Sequence, residues 1–434
     1  MNHRGRVTAI SVLVIGSFTL AVAASTFIKN LQPYKDPSGT LETYSTQGSL
    51  DLTNPFFQSL GTNGRSCASC HAPSDAWSVS ATHVQQRFQA TQGLDPIFRP
   101  IDGANCPSAD VSTLDARTAA YSLLLNKGLI RISLPVPAGA EFTVDVTNDP
   151  YNCPETTASN LALHRRPLPS TSLRFLPAIM WDGREPDLTT QARNAISVHS
   201  EPTQQQPPTD AQLQQIVSFE SSLFTAQAKD NLAGSLSTKS VDGGPTVLSQ
   251  QTFFDGINPD GINVFTIYSQ WDGLAGSPKA DQQGSIARGE LLFNTRAMRI
   301  SGVAGLNDVR GVDPINGTCG TCHNAPNVGG SSSFAMMNIG TAAPRFDLPV
   351  YLLHCSDGTQ RSTSDPGLAM VTGKCADIGK FKVPSMRGLP ARAPYFHDGS
   401  AATLRQVIDF YDQRFSMLLT EQEKADLIAF MNSL

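Results

Sequence analysis

Two pentapeptides carry the most chemistry in this chain: Cys67-Ala-Ser-Cys70-His71 and Cys319-Gly-Thr-Cys322-His323. Two thiols at that separation can add to the two vinyl groups of one haem while the adjacent histidine ligates the iron, so one short spacing provides both attachment and ligation. The sequence therefore predicts two covalently bound haem c groups. Cys67, Cys70, Cys319 and Cys322 are the attachment residues, and His71 and His323 the iron ligands. A zinc site built from paired cysteines is the competing chemistry. It would need pairs about 250 residues apart to converge and would leave both histidines unexplained.

The remaining cysteines, Cys106, Cys153, Cys355 and Cys375, fall into two local pairs. Disulfides Cys106 to Cys153 and Cys355 to Cys375 are expected, each closing a loop within one half of the chain, as an oxidising compartment permits. The amino terminus agrees. Arg4 and Arg6 precede an uncharged apolar run from Val7 to Ala24 that ends in small residues, the pattern of an export signal over 1–24, with an uncleaved membrane anchor as the alternative. Either form places the body outside the cytoplasm, and a periplasmic location is expected. The formal charge of -5 has no basic excess to recommend nucleic acid as a partner.

The elements that must position these residues recur in two copies. Asn54-Pro55-Phe56-Phe57 opens a short helical segment before the first signature, and Ser285 to Phe293 reads as a helix ahead of the second. Downstream, the stretch from Thr209 to Leu223 aligns without a gap on that from Thr420 to Leu434; each has a threonine followed by an acidic residue, a phenylalanine at the eleventh place and Ser-Leu at the end. Two units of helix, signature and helix are implied. The first spans 30–230 and contains an insertion at about 91–161, where Val136, Phe142, Val144 and Val146 alternate like short strands; the second spans 282–434. Residues 231–281, rich in Gly, Ser, Asp and Gln, are expected to connect them.

Two further stretches, Leu176-Pro-Ala-Ile-Met-Trp181-Asp182-Gly183-Arg184 and the run from Phe381 to Gly399 containing Tyr395-Phe396-His397-Asp398-Gly399, complete a resemblance. With both haem signatures in this order, the chain resembles the bacterial di-haem cytochrome c peroxidases and their MauG-like relatives, from about Asn54 to the end apart from the insertion and the connection. The resemblance implies a mainly α protein of two cytochrome c-like domains, each with one haem. It implies reduction of hydrogen peroxide at the first haem. Electrons would come through the second from a small cytochrome, a cupredoxin, or a protein or organic donor. Trp181 would be the relay between the haems. Gln191 and Glu201, at successive ten-residue steps, resemble the peroxide-pocket pair, with Glu201 as general acid/base; His199 is the alternative, because the usual Asn-Pro ahead of the Glu is missing.

Tyr411 stands fourteen residues beyond His397, where the peroxidases carry a methionine ligand and MauG a tyrosine, so Tyr411 is the expected distal ligand of the second haem. Met386 and Met336-Met337 are the alternatives. His397 is expected to support that haem without ligating it; the first haem's sixth position is expected to be open or weakly ligated, with His83 or His164 as the alternatives. A calcium ion between the haems is a further implication, through backbone oxygens near Arg392 and Pro394, although Arg165-Arg166-Pro167 stands where an asparagine ligand is expected. A non-catalytic electron carrier and a di-haem oxygenase are the rival functions on the same scaffold.

Overall fold

The repeat read from the sequence is a pair of matching helices in the computed structural model, which describes residues 25–204, 206–253 and 263–434; the expected export segment lies outside these. Asp210–Ser221 and Glu421–Met431 each begin at a threonine, Thr209 or Thr420, whose hydroxyl accepts the backbone N–H three residues on. The Gln212 or Glu423 side chain accepts the threonine's own N–H in return. This reciprocal cap satisfies amides that a helix start otherwise leaves open.

The two copies differ in what they pack against. Glu421–Met431 crosses the 18-residue helix Pro278–Thr295 at Gly289. A Cβ there would lie 2.0 Å from the Asp426 carbonyl oxygen, so the close crossing requires glycine. Phe430 fills the angle between them, its ring 5.1 Å from Phe265 and 5.7 Å from Phe293. In the first half the partners are the helix Leu188–His199 and the 3-10 turn Pro55–Phe57, and Phe219 packs on Phe56, Phe57 and Trp77 at 5.1 to 5.6 Å.

The expectation of a mainly α protein is corrected: the described residues hold eleven α-helices but also fifteen short strands. Helices frame the haem signatures, and strands fill the inserted segments. Gly39–Ser45 pairs antiparallel with Leu223–Asp230 at the centre of a four-stranded sheet. Phe142–Asn148, from the insertion in the first half, pairs with Val350–Cys355 of the second, which pairs in turn with Gln360–Thr363. The core under this three-stranded sheet takes Phe142, Val144, Leu161 and Leu163 from one half and Tyr351, Leu353 and Met370 from the other. Both disulfides form as expected, Cys106 to Cys153 and Cys355 to Cys375, with Cα separations of 5.5 and 6.0 Å.

The described part of 231–281 is packed. Tyr268 stacks on Trp271 at 5.2 Å, both are buried in the second core, and the Tyr268 hydroxyl donates to the Ser433 carbonyl at 2.7 Å. Glu290 accepts the N–H groups of Ile267 and Tyr268 at 2.8 and 2.9 Å. No helix among the described residues is long and apolar enough to cross a membrane.

Candidate functional site

Each haem signature is folded the same way. Cys67–Ser69 and Cys319–Thr321 are single 3-10 turns, opened by Ser66 and Thr318 in reciprocal caps with Ser69 and Thr321. The turn brings the histidine N–H onto the first cysteine's carbonyl, His71 on Cys67 at 2.9 Å and His323 on Cys319 at 3.0 Å. In both, Nδ1 meets a backbone carbonyl six residues later: Trp77 at 2.9 Å for His71 and Gly329 at 2.5 Å for His323. An Nδ1–H committed to a carbonyl leaves Nε2 as the unprotonated nitrogen, the one that can ligate a metal. Burial pushes His71 down to about 4 and lowers His323 as well, so both imidazoles stay neutral, as ligands must be.

Two cavities open over these turns. Cys67, Cys70 and His71 line the first, and Cys319, Cys322 and His323 the second. The four cysteines are unpaired and only partly covered, which leaves their sulfurs free for thioether formation. The repeated helices supply equivalent walls: Ile216 and Glu220 face the first cavity where Leu427 and Met431 face the second. Burial raises Glu220 to about 7, against a hydrogen bond from Ser170, and its Oε2 has no partner. Ser170 also lies 3.2 Å from His71 Nδ1.

Trp181, Arg166, Pro167 and Lys382 line both cavities, so they are the wall between them. Trp181 donates through Nε1 to the Arg166 carbonyl at 2.8 Å and meets His397 edge-on with ring centroids 6.1 Å apart. His397 is buried and stacks on Phe381 at 3.9 Å. Behind them the buried Arg165 bridges Asp182 at 2.5 Å and Asp365 at 2.6 Å. Burial opposes the Arg165 charge, but the two carboxylates outweigh it and hold the guanidinium protonated.

The wall is rich in cations without anions. Burial lowers Lys382 to about 7, and its ammonium donates only to the Ala178 carbonyl at 3.0 Å. Arg392 donates to the Ser385 carbonyl at 2.6 Å and has a buried Nε with no partner. Buried cations without carboxylates are costly, and each haem carries two propionates. The paired thiols, the oriented histidines and these uncompensated charges together fit two haem c groups.

The structure separates the other expected residues. Gln191 lines the first cavity and Tyr411 the second. Burial raises the Tyr411 phenol, and its ring stacks on Phe415 at 6.2 Å. Met386 also lines the second cavity, but packs against Gly329 in the loop that holds His323. Met337 lines the same cavity. Neither His83, held by Asp75, nor His164, 3.4 Å from the Asn105 carbonyl, lines the first cavity. Glu201 is exposed, accepts from Asn63 Nδ2 at 3.1 Å, and is not among the lining residues.

His199 does line the first cavity, and Asp102 holds its Nδ1 at 2.5 Å. Asp102 is buried and ion-paired on its other oxygen with Arg65, two residues ahead of Cys67. Burial raises the Asp102 carboxyl, but the His199 hydrogen bond and the Arg65 charge override it and leave the pKa lowered. Asp102 sits in the insertion, where no motif marked it. Glu220 was detectable, because the aligned repeat sets it opposite Met431. Of the oxygens expected near a calcium ion, the Arg392 carbonyl accepts from Arg166 at 2.8 Å.

No family model matches the chain. Among curated proteins it is 34% identical over 148 residues to cytochrome-c peroxidase IdrP1 of Pseudomonas sp. (strain SCT), a match that covers 29% of this chain and 39% of that protein. It is 32% identical over 132 residues to the cytochrome c551 peroxidase of Nitrosomonas europaea, covering 30% and 34%. These matches thus span well under half the length of either relative. The methylamine utilization protein MauG of Methylophilus methylotrophus is 25% identical over 348 residues, 78% of this chain and 87% of that one. Among solved structures, a MauG-like protein associated with microbial copper homeostasis aligns over 88% of this chain and 86% of its own, with 16% identity and a TM-score of 0.41. Two Cys-x-x-Cys-His signatures, each folded under its own cavity, accord with the sequence matches: the chain is similar to the cytochrome-c peroxidases and to MauG.

Proposed function

We propose that the protein is an exported, periplasmic di-haem peroxidase that reduces hydrogen peroxide at the first site and is supplied with electrons through the second. The observation that carries this reading is the His199–Asp102 pair in the wall of the first cavity. When bound, haem supplies the metal centre that binds peroxide and gives up the electrons for its reduction. The chain's task is then proton handling. Asp102 fixes the His199 ring through Nδ1, leaving Nε2, which has no partner among the described residues, to take a proton from bound peroxide and return it to the departing oxygen. Gln191 offers an amide to the same cavity.

Trp181 joins the two sites. As a wall residue of both cavities it is the aromatic group best placed to pass electrons between them. Tyr411 would hold the second haem's iron through its phenolate oxygen, an anionic donor that favours the ferric state and a low potential. The donor is a small cytochrome or cupredoxin, or a protein or organic substrate oxidised in MauG fashion.

Steady-state peroxide consumption with a reduced donor tests the reading. Wild type should turn over; His199→Ala should lose roughly 10²–10⁴ in the peroxide reaction, and Glu201→Gln should stay near wild type. The reverse ranking would return the acid/base role to Glu201, which would have to turn inward from the surface. A protein that exchanges electrons but consumes no peroxide is an electron carrier, and oxygen uptake without peroxide would make it an oxygenase.

A further inference from the structure

Arg166 is buried in the wall between the two cavities, and all its guanidinium hydrogen bonds go to backbone carbonyls. Nη1 donates to Lys127 O at 2.7 Å, and Nη2 to Arg392 O at 2.8 Å and to Val79 O. None of the ion pairs among the described residues involves it. Of the other buried arginines, Arg65 and Arg165 face carboxylates, whereas Arg387 donates to a single backbone carbonyl, that of Asn327 at 2.7 Å; Arg166 gathers three. Backbone carbonyl oxygens converging on one cation are donors that a hard metal ion such as calcium also uses.

The peptide group of the same residue holds the wall together. Its N–H donates to His397 O at 2.7 Å, and its carbonyl accepts Trp181 Nε1–H at 2.8 Å. One residue thus ties five chain positions, Val79 and Lys127 on one side, Trp181 in the middle, and Arg392 and His397 on the other.

We propose that the Arg166 guanidinium is a built-in cation between the two haem sites, replacing a divalent ion by holding the carbonyls of Val79, Lys127 and Arg392 itself, so that the geometry of Trp181 and His397 needs no calcium. The chemistry of the site agrees on two counts. A calcium ion takes six to eight oxygens at about 2.3–2.6 Å, and here three carbonyls are already committed to N–H donors. Arg166 already meets the charge of the neighbouring Arg392, which lowers it, so a second full cation beside it would add repulsion. Burial and the neighbouring Arg392 lower Arg166 to about 9, which still leaves it protonated at neutral pH. Arg166 is a positioning residue: it acts on the haems through Trp181 and His397.

The test uses the haem-loaded protein. Elemental analysis of the purified wild type should find no stoichiometric calcium, and a calcium chelator should change neither its melting temperature nor the resting electron paramagnetic resonance signals of the two haems. Stoichiometric calcium, or a shift of either readout on chelation, overturns the proposal. Arg166→Asn frees the carbonyls and supplies an amide oxygen. Its haem signals should depart from wild type, and added calcium should return them and raise its melting temperature, a rescue that loss of packing alone would not show. A folded Arg166→Asn protein indifferent to calcium also overturns the proposal. If that variant does not fold, the wild-type measurements decide. Arg166→Lys, which keeps the charge without the planar fork, should fall between wild type and Arg166→Asn in its haem signals.

Discussion

The two haem cavities are built on one plan and furnished in opposite ways. Each has a capped 3-10 turn, a histidine tied to the carbonyl six residues on, and a wall from the repeated helix. The first adds charge and protons: the Arg65–Asp102–His199 chain and the buried Glu220. The second is lined by Met298, Met337, Met386, Met417 and Met431 with Phe293 and Phe415, and its phenols are Tyr395 and Tyr411. A site that must move protons keeps hydrogen-bonded ionisable groups; one that only exchanges electrons gains from an apolar lining that keeps water away and limits reorganisation on charge change.

The strongest attempt to break this contrast is the loss of the proton carrier. His199→Ala should depress the peroxide reaction by roughly 10²–10⁴, whereas Tyr411→Phe should alter the optical spectrum of the second haem and leave the initial peroxide reaction at the first unchanged. Equal loss in both variants would mean that the division of labour is wrong.

Next comes acid sensitivity. The folded-state pKa of Asp102 is lowered, because the His199 hydrogen bond and Arg65 outweigh burial. Its contribution to stability is therefore full above the ordinary aspartate range and is lost as pH falls through the lower folded value. Asp102→Asn leaves Arg65 buried and unpaired, at a cost of about 3–5 kcal/mol near neutrality. The difference in unfolding free energy from wild type should shrink on acidification, and a constant difference would show that Asp102 is not held as a carboxylate.

Exchanging the equivalent helix residues sharpens the comparison at intermediate cost. Met431→Glu puts an unpaired carboxylate into the apolar cavity and should cost more than about 3 kcal/mol by denaturant unfolding. Glu220→Met removes a half-satisfied carboxylate and should be neutral or stabilising, while shifting the spectrum of the first haem only. The smallest effects should come from the shared frame: Thr209→Ala and Thr420→Ala each remove the same capping box and should each cost about 1 kcal/mol. Markedly unequal costs would mean that the two copies are not structural equivalents.

What could be read in advance follows from how local each signal is. The haem turns, the disulfides and the repeated helices rest on fixed spacings within short stretches. The sheet of Gly39–Ser45 and Leu223–Asp230 was hidden because its inward positions include Thr43, Ser45, Thr225 and Gln227: Thr43 and Thr225 pair at 2.9 Å, Ser45 pairs with Ser222, and Gln227 donates to Asp36. An alternation of buried polar residues leaves no hydrophobic period to find. The insertion was legible as strands, but not as the partner of a strand in the other half. Asp102 was missed because its role depends on contacts with Arg65 and His199, 37 and 97 residues away.

The sheet that joins Phe142–Asn148 to Val350–Cys355 also sets an order of assembly. Its central pairing links residues about 200 positions apart, and such long-range contacts form late because loop-closure entropy must be overcome first. As synthesis proceeds, the first Cys-x-x-Cys-His turn is complete long before Val350 arrives. The first cavity can thus receive its haem while the molecule is still open on one side. Until the second half docks, the Phe142–Asn148 edge stays unpaired, and an exposed strand edge invites association with other chains. Synthesis stalled between the two halves should therefore yield material that carries one haem, aggregates, and is open to proteases.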